Sequence, residues 1–262
     1  MKKWKLGWLL LAASLWISTA QAELQSREVD YRDGETGLKG YLVWDDAMTG
    51  KRPGVLVFHE FWGLNDYAKS RARQLAALGY VAFAADMYGV GHVATHAQEA
   101  REWSKQVTSN LEMWQRRATL ALAALKETNE ADGNRLAAIG YCFGGATVMQ
   151  LAYTGADVKG VVSFHGSLPA PPPQAGEKIR AKIMVAHGES DPFIPPEKIA
   201  AFKSGMNEAK ADWQFHSYGG AKHSFTNPDA HLAGNDGAAY NADADRRSWQ
   251  TMKLFLEEVL SK

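Results

Sequence analysis

The segments Val55–Phe58, Tyr80–Ala85, Leu136–Tyr141, Val158–Phe164 and Ile183–His187 are short runs of apolar and small residues with scarcely a polar break. A strand carries such a run when both of its faces are covered, which points to a mostly parallel sheet held between helices. The intervals supply the helices. Asp66–Leu78 is amphipathic and closes at Gly79, where glycine suits the left-handed position that ends a helix. The stretch from His92 to Thr128 reads as two helices, and Gly145–Tyr153 and Pro196–Ala209 as one each. A last strand, Trp213–Tyr218, precedes a closing helix over Asp245–Leu260. Ahead of all these, Glu28–Tyr31 and Leu38–Trp44 alternate around Asp33-Gly34 and predict an antiparallel hairpin. The expected fold is α/β, with a mostly parallel central sheet of about eight strands, an antiparallel N-terminal edge hairpin, and helices on both faces.

No repeat or linker divides this pattern, so residues 23–262 are expected to form one domain. At 46% hydrophobic residues the chain can bury a sizeable core. Lys plus Arg and Asp plus Glu both total 29, and a net charge of zero gives no footprint for nucleic acid. Leu168–Gly176 is a proline-rich loop, and Asn227–Asp243 is a long connection without periodicity, a length that usually serves a function. Residues 1–22 read as a signal peptide. Lys2, Lys3 and Lys5 precede an apolar run over Trp8–Ile17, and Ala20-Gln21-Ala22 offers a cleavage site before Glu23. That run is about half the ~20 residues needed to span a bilayer, so no membrane anchor is expected after cleavage. The mature protein is expected to be exported, periplasmic or secreted.

Export makes the cysteine count informative. The chain has one cysteine, Cys142, and so no internal disulfide where cysteines usually pair. Cys142 lies in Gly140-Tyr141-Cys142-Phe143-Gly144-Gly145, between a strand and a helix. This is the setting of a nucleophile elbow with cysteine in the serine position. The glycines permit the tight turn, and the helix N-terminus behind it favours a thiolate. The amide of Phe143 would face an oxyanion, and the loop His59–Asn65 after the first buried strand would add the amide of Phe61. Acid and base follow the nucleophile in chain order in this fold. Asp191, in His187–Pro192, and His223, in Gly219–Phe225, are the candidates; Glu189, His187, His216 and His231 are the alternatives. Glu60 is an unusual carboxylate at the mouth of such a site, where a salt-bridged or capping role competes with a functional one.

The phrases FHEFWGLND at Phe58–Asp66, GYCFGGA at Gly140–Ala146, HGESDPFIP at His187–Pro195 and AKHSFTNP at Ala221–Pro228 together resemble the dienelactone hydrolase family of the α/β-hydrolase superfamily. The resemblance spans nearly the whole mature chain. It implies Cys142, Asp191 and His223 as a triad. It further implies that Glu60 partners the thiol, helping to deprotonate it when substrate binds. The chain departs from the family where arginines hold a substrate carboxylate. Gly89 follows Asp86-Met87-Tyr88, and Thr226 and Asn227 follow His223-Ser224-Phe225. A carboxylated dienelactone is therefore not the expected substrate. Trp62, Tyr88, Phe193 and Phe225, with Phe61, suggest a pocket for a more apolar group.

The expected activity is hydrolysis of a small ester or lactone through a thioester on Cys142, with no cofactor and no metal. A thioesterase or acyltransferase using the same residues is the alternative enzyme. A non-catalytic binding protein on this fold is the alternative of another class. The expected partner is a small molecule, and the expected state is a monomer.

Overall fold

A computed structural model describes residues 23–261 apart from residue 174. The signal peptide expected over residues 1–22 lies outside the described residues. The elements are β1 (Leu24–Asp33), β2 (Thr36–Asp45), β3 (Arg52–Phe58), α1 (Asp66–Ala77), β4 (Val81–Ala85), α2 (Ala97–Thr108), α3 (Leu111–Lys126), β5 (Ala131–Tyr141), α4 (Phe143–Tyr153), β6 (Gly160–Phe164), β7 (Lys182–Gly188), α5 (Pro196–Glu208), β8 (Trp213–Tyr218) and α6 (Ala242–Leu260). The eight strands form one sheet in the order β1-β2-β4-β3-β5-β6-β7-β8. Pairing is antiparallel for β1–β2 and β2–β4 and parallel from β4 to β8. This is the α/β-hydrolase architecture that the apolar runs predict.

The runs are apolar because each strand feeds two cores. Leu56 and Phe58 of β3, Leu136 and Ala138 of β5, and Ile183 and Val185 of β7 face α2, α3, α4 and α5. Their neighbours Val55 and Val57, Ala137 and Ile139, and Met184 and Ala186 face α1 and α6. The period of two along a strand thus delivers alternate side chains to opposite layers. Helix α4 is buried along its whole length, which explains its lack of a polar face.

Several boundaries differ from the sequence expectation for local reasons. The hairpin pairs over its full length, from Leu24 opposite Asp45 to Asp33 opposite Thr36. Helix α4 starts at Phe143 and not Gly145, because it begins directly after Cys142. Helix α6 starts at Ala242, where the side chain of Asn241 accepts from the Ala244 amide at 3.0 Å.

Two ion pairs on one carboxylate tie the edge hairpin to the helical layer. Asp33, at the end of β1, accepts from Arg117 Nε at 2.9 Å and from Arg116 Nε at 2.6 Å. Arg117 also donates to the carbonyl of Met87 at 2.7 Å, beside the turn that follows β4. Burial opposes the Asp33 charge, but the hydrogen bonds and charges of the two arginines outweigh it and hold its pKa below the usual value. Asp33→Asn leaves a buried arginine short of its counter-ion and is expected to cost about 3 kcal/mol. A depressed carboxylate stabilises above its unfolded pKa and loses that contribution as pH falls through the folded one. The wild-type advantage over Asp33→Asn in urea denaturation should therefore shrink below about pH 4.

Candidate active site

The nucleophile candidate sits in a left-handed turn. Cys142 has φ 53° and ψ −111° between β5 and α4. For a residue with a Cβ this costs on the order of 1–3 kcal/mol, and the surroundings enforce it. The Cys142 amide donates to the Phe164 carbonyl at 3.0 Å, and the Gly144 amide to the His59 carbonyl at 3.0 Å. A methyl group on Gly144 would collide with the backbone of Phe58, and one on Gly140 with the carbonyl of Gly144. The elbow glycines are thus required by backbone crossing, as the sequence pattern anticipates.

Loops after β7 and β8 bring the other two candidates to the thiol. His223 Nε2 lies 3.1 Å from Cys142 Sγ, and His223 Nδ1 lies 2.7 Å from Asp191 Oδ2. Asp191 is buried, and its other oxygen accepts from the Phe193 amide at 2.9 Å. Burial opposes protonation of His223. The charge at Cys142, the hydrogen bonds to Asp191 and Cys142, and the Asp191 charge outweigh it and hold this imidazole well above its ordinary 6.5. The alternatives are engaged elsewhere. Glu189 accepts from Ser217, His216 contacts Gln214, and His187 packs on Phe215. His231 lies in a short 3-10 turn, Ala230–Ala233.

A cavity of about 470 Å³ opens over Cys142 and His223. Phe61, Phe143 and Phe193 line it, together with Trp114, Ala146 and Ile194. The amides of Phe61 and Phe143 donate to no protein acceptor among the described residues, so both are free for a bound oxygen. The Tyr88 hydroxyl donates to the Phe61 carbonyl at 3.1 Å and so fixes that peptide. Two cations, Arg101 on α2 and Lys198 on α5, also line the cavity, and among the described residues neither forms an ion pair. No cluster of His, Cys, Asp or Glu that could hold a metal occurs among the described residues.

The dienelactone hydrolase family model matches residues 38–260. The chain belongs to the dienelactone hydrolase family. A solved structure described as a dienelactone hydrolase-like promiscuous phosphotriesterase from metagenomic libraries is 42% identical, covers 92% of this chain and all of its own, and superposes with a TM-score of 0.89. A relative from Saccharolobus solfataricus, provisionally named carboxymethylenebutenolidase, is 27% identical over 89% of this chain and 98% of its own length. A structure from Klebsiella pneumoniae provisionally described as a dienelactone hydrolase, at 20% identity and a TM-score of 0.72 over 89% of this chain and 98% of its own, shares the fold.

Glu60, which the resemblance pairs with the thiol when substrate binds, lies against the loop of His223 in this structure. Its oxygens accept from Ser224 Oγ at 2.8 Å and Asn227 Nδ2 at 2.5 Å, while the thiol pairs with His223. Asn227, one of the two residues found after Phe225 where the resemblance implies an arginine, is thus a partner of this carboxylate, together with Ser224. Burial raises the Glu60 pKa, and the two hydrogen bonds with the charges of His223 and Arg71 only partly offset that. The apolar pocket needs correcting. Phe225 is wholly buried in the core beneath α6, and Trp62 packs on Phe61 outside the cavity lining. Tyr88 is buried between His59 and Phe143 and supports the wall without lining it.

The long connection after Asn227 forms part of the wall. The His223 amide donates to the Gly237 carbonyl at 3.1 Å and the Ala239 amide to the His223 carbonyl at 3.0 Å, and Ala233, Asn235 and Ala238 line the cavity. Sequence reasoning missed Arg71, Ser224 and His165 as parts of the site. His165 carries the only readable signal, a polar residue at the carboxyl end of a buried parallel strand, where sites of such sheets form.

The geometry separates two roles for Glu60. Glu60→Ala orphans two buried donors and is expected to cost about 2–4 kcal/mol in thermal or urea unfolding. Glu60→Gln, which keeps one acceptor, should leave alkylation of Cys142 by iodoacetamide unchanged at pH 7. A several-fold change in that rate would restore Glu60 as the partner of the resting thiol.

Proposed function

We propose that the chain hydrolyses small ester or lactone bonds through Cys142, His223 and Asp191. The observation that carries this reading is the continuous contact Cys142–His223–Asp191 at 3.1 and 2.7 Å on the floor of the cavity. Cys142 Sγ attacks the carbonyl carbon, and the oxyanion is held by the amides of Phe61 and Phe143. His223 gives its proton to the departing alkoxide, leaving a thioester on Cys142. The neutral imidazole then takes a proton from water as that water attacks the thioester, and the acid departs with restoration of the thiol pair. Asp191 holds the tautomer and orientation of His223 throughout.

The cavity also bears on the substrate. Beside the nucleophile it offers aromatic and aliphatic walls, and where the resemblance implies arginines the chain has Gly89 after Tyr88 and Thr226 and Asn227 after Phe225. A neutral acyl group therefore fits next to Cys142. The cations Arg101 and Lys198 leave room for an anion only at the cavity's margin. The reading fits lactone-cleaving relatives, including a Bradyrhizobium protein provisionally named 2-oxo-3-(5-oxofuran-2-ylidene)propanoate lactonase. A second activity rests on the neighbour at 42% identity, which is described as a phosphotriesterase. By the same attack at phosphorus, Cys142 would expel an aryloxide, and water would cleave the S-phosphoryl enzyme. Action in the periplasm or outside the cell after cleavage near Ala22 belongs to the same proposal.

The test is a panel of neutral and carboxylated short esters and lactones, with an aryl phosphotriester added. Cys142→Ala and His223→Ala are expected to lower kcat/KM at least about 10³-fold. Hydrolysis surviving in Cys142→Ala would overturn the assignment. Because His223 is held well above 6.5, acylation should persist on the alkaline side of that value and fall only as the imidazolium finally loses its proton. Asp191→Asn removes one support of that charge and should move the alkaline limb of kcat/KM to lower pH.

A further inference from the structure

We propose that His165 is a positioning residue, which locks the backbone of Cys142 and the loop of His223 into one register. The proposal rests on the triad reading and concerns how its 3.1 Å contact is held. His165 follows β6, has φ 39°, and is pinned to β7 by its amide, which donates to the Ala186 carbonyl at 2.8 Å. Its side chain is buried, and both ring nitrogens are used. Nδ1 accepts from the Cys142 amide at 3.1 Å, sharing that donor with the Phe164 carbonyl. Nε2 contacts Thr226 Oγ1 at 2.7 Å. An amide can only donate, so Nδ1 carries the lone pair, and Nε2 carries the proton and gives it to Thr226.

From Thr226 the network continues away from the site. Thr226 Oγ1 lies 2.6 Å from the Tyr67 hydroxyl, and Arg71 Nε donates to that hydroxyl at 3.3 Å. Arg71 Nη2 also donates to the Thr226 carbonyl at 2.5 Å and to Asp245 Oδ1 at 2.7 Å. Thr226 is therefore held through both its side chain and its backbone, close behind His223. One imidazole joins the nucleophile's own amide to that anchored loop. A hydrophobic side chain of equal size would fill the space and make neither link.

The charge state fits the role. The His165 ring meets the His223 ring edge-on, with centroids 5.4 Å apart. A second positive charge there would oppose the imidazolium of His223. Burial first, then the charges of His223 and Arg71, hold His165 well below the usual histidine value, so it stays neutral beside its charged neighbour.

The test uses half-isosteres, so that folding is preserved while single links are cut. His165→Asn keeps an acceptor near the Cys142 amide and loses Thr226. His165→Gln can reach Thr226 and loses the amide. Thr226→Val removes the same link as His165→Asn from the other end. In variants with wild-type circular dichroism, kcat for 4-nitrophenyl acetate should fall about 10- to 100-fold while KM stays within about threefold. The rate of Cys142 alkylation by iodoacetamide at pH 6, relative to pH 9, should fall in parallel. The double variant His165→Asn/Thr226→Val should be no worse than Thr226→Val alone, which already cuts the His165 link together with the contact to Tyr67. Folded variants with kcat within about twofold of wild type and an unchanged alkylation ratio would overturn the proposal, as would simple additivity of the two substitutions. Alkylation needs no turnover, so it reports on positioning even if the ester reading fails. That reading falls separately, on activity in Cys142→Ala.

Discussion

The site depends on one backbone crossing, where the first turn of α4 passes against the end of β3 and the residues after β6. A methyl group on Gly145 would lie 2.8 Å from the Gly166 Cα, and Gly144 has no room against Phe58. Because those glycines let α4 approach, its N-terminus can lie directly behind Cys142, and the Cys142 turn is forced into the left-handed region. The whole of α4 is then buried against the sheet and its neighbouring helices. Strain at Cys142 persists because the helix, β3 and β6 all over-determine it. The reactive sulfur is exposed to the cavity by the same constraint that fixes its backbone.

Buried charge gives the site its second organising principle. Arg71, among the rings of Tyr67, Tyr141 and Trp249, has Asp245 as its ion-pair partner and reaches the loop of His223 at the Thr226 carbonyl. Glu60 in turn accepts from Ser224 and Asn227, on either side of the residues that Arg71 and His165 hold. An uncompensated charge at this depth would cost several kcal/mol, so each ion fixes the loop residue that satisfies it. The stretch from Ser224 to Asn227 is consequently bound at every side-chain polar group and at the carbonyls of Ser224, Phe225, Thr226 and Asn227. That rigidity, and not a direct contact of Glu60 with the thiol, keeps the His223 imidazole within reach of Cys142.

The sheet was legible because its signal is local. Runs such as Val55–Phe58 and Ile183–His187 must be apolar when both faces are covered, and no partner needs to be known. That Cys142, Asp191 and His223 would come together was legible for a related reason: elbow glycines and strand-end loops bring such residues to one end of the sheet. Phe225 shows where this fails. Its neighbours His223 and Ser224 reach the site, but the turn that follows His223, with Ser224 at φ 51°, sends its ring into the core beneath α6. The partner of Glu60 was hidden because a hydrogen bond between residues 60 and 227 leaves no trace at either position alone. His165 was hidden similarly, since a histidine after a strand reads the same whether its ring is packed or bonded.

Asn227 links these two levels. Judged by sequence, the absence of an arginine there removes a group that would hold a carboxylate. In the structure, the same residue supplies a neutral donor to Glu60. An arginine would bring a charge able to serve both Glu60 and an anionic ligand, and would make the two compete for it. A neutral amide ends that competition, so the state of Glu60 is uncoupled from the ligand's charge. The loop of His223 is then fixed before any substrate arrives. On the proposed reading, selectivity passes to the walls formed by Phe61, Phe143 and Phe193 and to Arg101 and Lys198, which also line the cavity. A site preorganised in this way lowers the cost of reaching the reactive geometry, and it places little chemical demand on the group next to the scissile bond.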